Sequence, residues 1–113
     1  MSARGGTASR VVVLPKQIDL TNVGQVAELL AAATNDGARV VVGDLSETRF
    51  CDSAGLRQLL VAVRQAAKQD VELRLAGARD PLLRVMELVG ATRLLHLYPS
   101  VDAALSDERI PGS

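Results

Sequence analysis

Two spacings of hydrophobic residues alternate along the chain and divide it into short strands and amphipathic helices. Arg10–Leu14 holds the apolar run Val11-Val12-Val13-Leu14, and Pro15-Lys16 closes it as a turn. Ile18 to Leu20 continues extended. Thr21 is placed as the N-cap of a helix whose apolar positions Val23, Val26, Ala27, Leu30 and Ala33 recur at helical spacing. Asn35-Asp36-Gly37 ends it, with Gly37 suited to the left-handed C-terminal position. Val40-Val41-Val42 reads as a strand buried on both faces and stops at Asp44. After a polar loop, Ser46–Arg49, a second helix starts at Ser53, with Leu56, Leu59, Leu60, Val63 and Ala67 inward and Arg57, Arg64, Gln65 and Lys68 outward. Val71–Ala76 alternates as a strand. Asp80-Pro81 opens a third helix with Leu82, Val85, Met86 and Val89 on its apolar face, and Gly90 ends it. Leu94–Leu97 is the last strand, and Val101–Leu105 a short closing helix. Helix and strand in alternation predict parallel strands joined by crossover helices, with no internal repeat or linker.

The chain has 113 residues, enough for one domain with one core. Its bounds are expected at 10–105, between a flexible N-terminus, 1–9, and a flexible tail, 106–113. Thirteen basic residues balance thirteen acidic ones, so no basic face is implied, and neither nucleic acid nor an anionic membrane is an expected partner. Phe50 and Tyr98 are the only aromatics, too few for a base-stacking platform. Apolar runs such as Leu29–Ala33 are far too short to span a bilayer, and the first residues lack a secretion-type hydrophobic segment. Cys51 stands alone, so no internal disulfide is possible. The expected location is cytoplasmic.

Candidate chemistry is sparse. His96 is the sole histidine and is read as a partly exposed strand residue, so no metal site is expected. Cys51 is read as pointing inward and inert. No cofactor and no catalytic residue are expected. The informative stretch is Val40 to Leu60, where a buried strand ends, a polar loop follows and a helix starts at Asp52-Ser53-Ala54-Gly55-Leu56. In open α/β sheets this edge is where partners are met. From position alone Ser53 reads as a helix N-cap. Asp52 and Asp19 read either as partner-facing acids or as a helix-terminal acid and a turn aspartate. Asp44 and Ser46 are expected to shape the loop, and Gly55 to allow close packing or a partner's approach. Arg57 and Arg49 read as solvated charges or as contacts to a partner or phosphate.

Asp44-Leu45-Ser46, followed by Phe50-Cys51-Asp52-Ser53-Ala54-Gly55-Leu56, resembles the signature of the STAS domain. That family includes bacterial anti-sigma factor antagonists and the cytoplasmic ends of sulfate-type anion transporters. Leu14–Thr21 is similar to the family's first turn, and the resemblance extends over about residues 10–105. It implies a small mixed sheet with helices mainly on one face. For function it implies an anti-sigma factor antagonist that catalyses nothing itself. Such a protein binds an anti-sigma factor that is also a serine kinase, releases a sigma factor, and is switched by phosphorylation at Ser53 and restored by a serine phosphatase. Asp19, Asp52, Ser53, Ala54, Gly55 and Arg57 are then the expected partner-binding residues. A phosphorylation-independent adaptor or scaffold subunit is the alternative. Lys16, where the family commonly has Gly, Thr48 at a usually apolar position, and the short polar stretch before Val11 depart from the pattern. Ser46 and Thr48 remain open as further modification sites.

Overall fold

A computed structural model describes residues 9–107. Four strands form the main sheet: β1 (Ser9–Val13), β3 (Val40–Asp44), β5 (Glu72–Ala76) and β6 (His96–Tyr98), in that spatial order. Two further segments, β2 (Gln17–Ile18) and β4 (Phe50–Cys51), pair beside it. The helices are α1 (Val23–Thr34), α2 (Ser53–Ala67), α3 (Asp80–Leu88) and α4 (Val101–Leu105), with one 3-10 turn at Ala91–Arg93. Every pairing among the described residues is parallel. The physical reason is connectivity: each strand of the main sheet returns to the same end through a crossover helix. Among the described residues no antiparallel strand makes the sheet mixed.

Strand order also fixes where the helices lie. The chain steps across the sheet in one direction, and crossovers of one hand then land on one face. Side-chain alternation supplies that face with Val12, Val41, Leu73, Leu75 and Leu97, which pack against Val26 and Leu30 of α1, Leu56, Leu59, Val63 and Ala66 of α2, and Leu82 and Met86 of α3. The opposite face carries Val42, Ala76 and Tyr98, covered by Ala103 and Ala104 of α4. Arg74 fastens this second layer. Its guanidinium donates to the Ala104 carbonyl at 2.6 Å, pairs with Glu72 and lies over the Tyr98 ring.

Several boundaries differ from those expected. Asn22, not Thr21, occupies the N-cap position of α1, and the Thr21 hydroxyl is drawn to Asp19 instead. Ala67 is exposed, and its place in the core is taken by Ala62 and Ala66. Val85 and Val89 lie on the outer face of α3, since a nine-residue helix at the sheet's edge buries only Leu82 and Met86. Arg79 holds the N-cap position of α3, and Asp80 is its first residue. The last strand is His96–Tyr98, because Gly90 in the left-handed region starts the 3-10 turn and leaves Leu94 exposed. Asp107, expected in the free tail, accepts a hydrogen bond from the Tyr98 hydroxyl at 2.7 Å. Residues 1–8 and 108–113 lie outside the described residues, as do the expectations for them.

Candidate functional site

The β2–β4 pair builds the site, although each strand is only two residues long. Gln17 lies beside Phe50 and Ile18 beside Cys51, and the Asp52 amide donates to the Ile18 carbonyl at 3.1 Å. This stitches the turn after β2 to the start of α2. Ile18 is fully buried, which is worth roughly 1.5–3 kcal/mol for such a side chain. Gly55 lets the helix come this close. A Cβ there would sit 2.5 Å from the Ile18 carbonyl oxygen and 2.9 Å from Cys51 Sγ. Gly55 is therefore buried, and its part in the site is to bring α2 against β2.

Asp52 is the hinge between the two segments. Its Oδ1 accepts from the Gly55 amide at 2.8 Å, capping α2, and its Oδ2 accepts from the Leu20 amide at 3.2 Å. The N-cap expected of Ser53 thus belongs to Asp52, one residue earlier. Ser53 is the first helical residue and exposed, and its hydroxyl makes no hydrogen bond to another described residue. Ala54, half-buried, and Arg57, exposed, follow along the same helix face. Together with Leu20, Val23, Gln58 and Val61 they line an open groove of about 510 Å³ between the start of α1 and α2. Leu20 is 74% exposed, an aliphatic side chain held at the groove's rim by its own backbone bond to Asp52. The sequence did not mark Leu20 or Val61 for this place. The one available signal was an apolar residue in a turn with no periodic partner.

Asp19 shapes the turn opposite. Its carboxylate accepts from the Thr21 hydroxyl, the Thr21 amide and the Gln17 side chain, while its own amide donates to Asn22 Oδ1. The Thr21 hydroxyl, first among these donors, holds the Asp19 carboxyl below its ordinary value. A group whose folded pKa is depressed stabilises above its unfolded pKa, and that contribution is lost as pH falls through the folded value. Carbon-detected NMR titration should therefore find Asp19 ionised at lower pH than a free aspartate. Thr21→Val should move it back up; an ordinary value in the unmodified chain would remove this account.

The neighbouring polar residues separate cleanly. Thr48 is fully buried, and its hydroxyl donates to the Pro15 carbonyl at 2.7 Å, so it is closed to modification. Burial of a polar residue at an apolar position is satisfied by that bond. Asp44 accepts from the Ser46 amide and shapes the loop as expected. Cys51 packs on the core, and burial, with the nearby Asp52 charge second, pushes its thiol up to about 11. His96 is half-buried in β6, beside Glu72. Among the described residues no cluster of His, Cys, Asp and Glu suits a metal ion, and no helix is long and apolar enough to cross a membrane.

Fold and site together define a small α/β domain with an exposed serine opening its second helix. Residues 2–104 match the STAS domain model, and the chain belongs to that family. It is 27% identical over 81 residues to the anti-sigma-B factor antagonist of Staphylococcus aureus, covering 72% of this chain and 75% of that one. It is 30% identical over 94 residues to BtrV of Bordetella bronchiseptica, a candidate anti-sigma factor antagonist, covering 83% and 81% of the two chains. The crystal structure of an anti-sigma factor antagonist from Mycobacterium paratuberculosis superposes with a TM-score of 0.77 at 27% identity, over 94% of this chain and 88% of the other.

Proposed function

We propose that the chain is an anti-sigma factor antagonist that acts by binding and is switched at Ser53. Its partner is an anti-sigma factor of the serine-kinase kind, docked on the groove lined by Ser53, Ala54 and Arg57 and on the neighbouring acids Asp19 and Asp52. Binding frees a sigma factor, phosphorylation ends the binding, and a serine phosphatase restores it. One observation carries this reading: Asp52 caps α2, so the exposed Ser53 hydroxyl is left free of structural duty.

In the modification Ser53 Oγ forms a bond to the terminal phosphorus of a nucleoside triphosphate held by the kinase. The bond to the departing diphosphate breaks, and the hydroxyl proton passes to the kinase. The product places a charge of about −1.5 to −2 on the first residue of α2. There the helix dipole favours an anion by about 1 kcal/mol, so the fold persists while a surface fitted to a neutral hydroxyl is spoiled.

Intact-mass analysis and peptide mapping of the protein from its native cell test the reading, beside a Ser53→Ala variant. The expected result is one phosphate on Ser53, absent from the variant, which still captures the anti-sigma factor. An unmodified Ser53 under growth and stress alike would overturn the switch, and a phosphate on Ser46 would relocate it.

A further inference from the structure

Resting on that reading of Ser53, we propose that Arg57 is a positioning residue for the phosphate. Once Ser53 is phosphorylated, the Arg57 guanidinium folds back one helical turn onto it and closes the mouth of the groove between α1 and α2.

Helix geometry places the two side chains together. Ser53 and Arg57 are four residues apart in α2 and line the same groove. Side chains on a helix lean toward its N-terminus, so Arg57 extends over the turn that Ser53 begins. Arg57 is also the one charged residue among those lining the groove; Leu20, Val23, Ala54, Gln58 and Val61 carry no charge.

Arg57 is available for the task. It is exposed and makes no ion pair among the described residues. Three other arginines are engaged: Arg79 donates to the Ser46 carbonyl, Arg74 to the Ala104 carbonyl, and Arg10 pairs with Asp36. The acids nearest the site are already spoken for. Asp52 holds the amides of Gly55 and Leu20, and Asp19 holds Thr21 and Gln17. A phosphate would therefore arrive beside two carboxylates, with Arg57 as the cation on its own helix face. Guanidinium and phosphate pair in a bidentate fork. The pair would cover the apolar walls formed by Leu20, Val23 and Val61. Modification then removes the partner's apolar contacts as well as adding charge.

Encoding phosphoserine directly at position 53 tests the latch without any kinase. Phosphorus NMR would follow the second ionisation of the phosphate in the otherwise native chain and in Arg57→Gln. The expected result is a pKa higher by about 0.3 unit in Arg57→Gln, the scale of one exposed charge pair on a helix. Arg57→Lys should fall between them. Arg64→Gln, which removes an exposed charge elsewhere on α2, should leave the value unchanged. Equal values in the native and Arg57→Gln chains would overturn the latch, as would an equal rise in Arg64→Gln. Failure of the switch itself shows elsewhere, as an unmodified Ser53 in the cell, whatever the phosphate's ionisation reports.

Discussion

Gly55→Ala is expected to lower the stability of the domain by about 3 kcal/mol, at the upper end of the cost of overpacking a core. The added methyl would meet the Ile18 carbonyl at 2.5 Å, Ile18 Cγ2 at 2.8 Å and Cys51 Sγ at 2.9 Å. All three atoms belong to the β2–β4 pair, and the carbonyl is backbone that also accepts from Asp52. Relief requires moving α2 away from β2, which breaks that bond. Gly24 of α1 offers the contrast. Nothing lies within 4 Å of a Cβ there, so Gly24→Ala should stabilise by a few tenths to about 1 kcal/mol through helix propensity alone. Urea unfolding of the two variants measures both. A native midpoint for Gly55→Ala would show that the helix start tolerates displacement, and the turn at Asp19 would then not be held in place by packing.

The same comparison shows what could be read from the sequence. The strands of the main sheet carry continuous or alternating valine and leucine, and that pattern survives because each strand faces a core on at least one side. The parallel strands and their crossover helices followed from the alternation of helix and strand, and the position of Ser53 at the head of α2 from the helical spacing of the apolar residues after it. Val85 and Val89 were misplaced for a different reason. Periodicity reports which residues share a helix face, not whether another layer is present to cover it. The β2–β4 pair left no periodic trace, since two residues cannot establish a spacing. Its existence depends on Gly55, whose purpose is visible only when Ile18 stands against it. Thr48 likewise reads as an anomaly until the Pro15 carbonyl is found within reach of its hydroxyl.

Capping is where sequence and structure diverge with most consequence for function. Asp52 and Ser53 are adjacent, and both are good N-cap residues, so spacing alone cannot choose between them. The choice is made by the second bond of Asp52. One oxygen holds the Gly55 amide and the other holds the Leu20 amide, 32 residues away in the chain. A serine hydroxyl has no second oxygen to do this. With the cap assigned to Asp52, the adjacent hydroxyl is free to be modified without unravelling the helix.

Asp52→Ala is accordingly expected to destabilise by about 2 kcal/mol, roughly 1 for the cap and a similar amount for the lost charge-assisted bond to the Leu20 amide. Asp52→Asn should cost about half as much, because its one carbonyl oxygen can cap α2 while its amide NH2 cannot accept from Leu20. Ser53→Ala should stay within about 0.5 kcal/mol of the native chain. Urea unfolding ranks the three, and hydrogen exchange at the Leu20 and Gly55 amides locates the damage. Faster exchange at both is expected in Asp52→Ala, and at Leu20 in particular in Asp52→Asn. A Ser53→Ala chain as weakened as Asp52→Ala would mean that Ser53 carries the cap after all. Its phosphorylation would then act by melting the first turn of α2, and the intact groove on which both the switch and the Arg57 latch depend would not survive the modification.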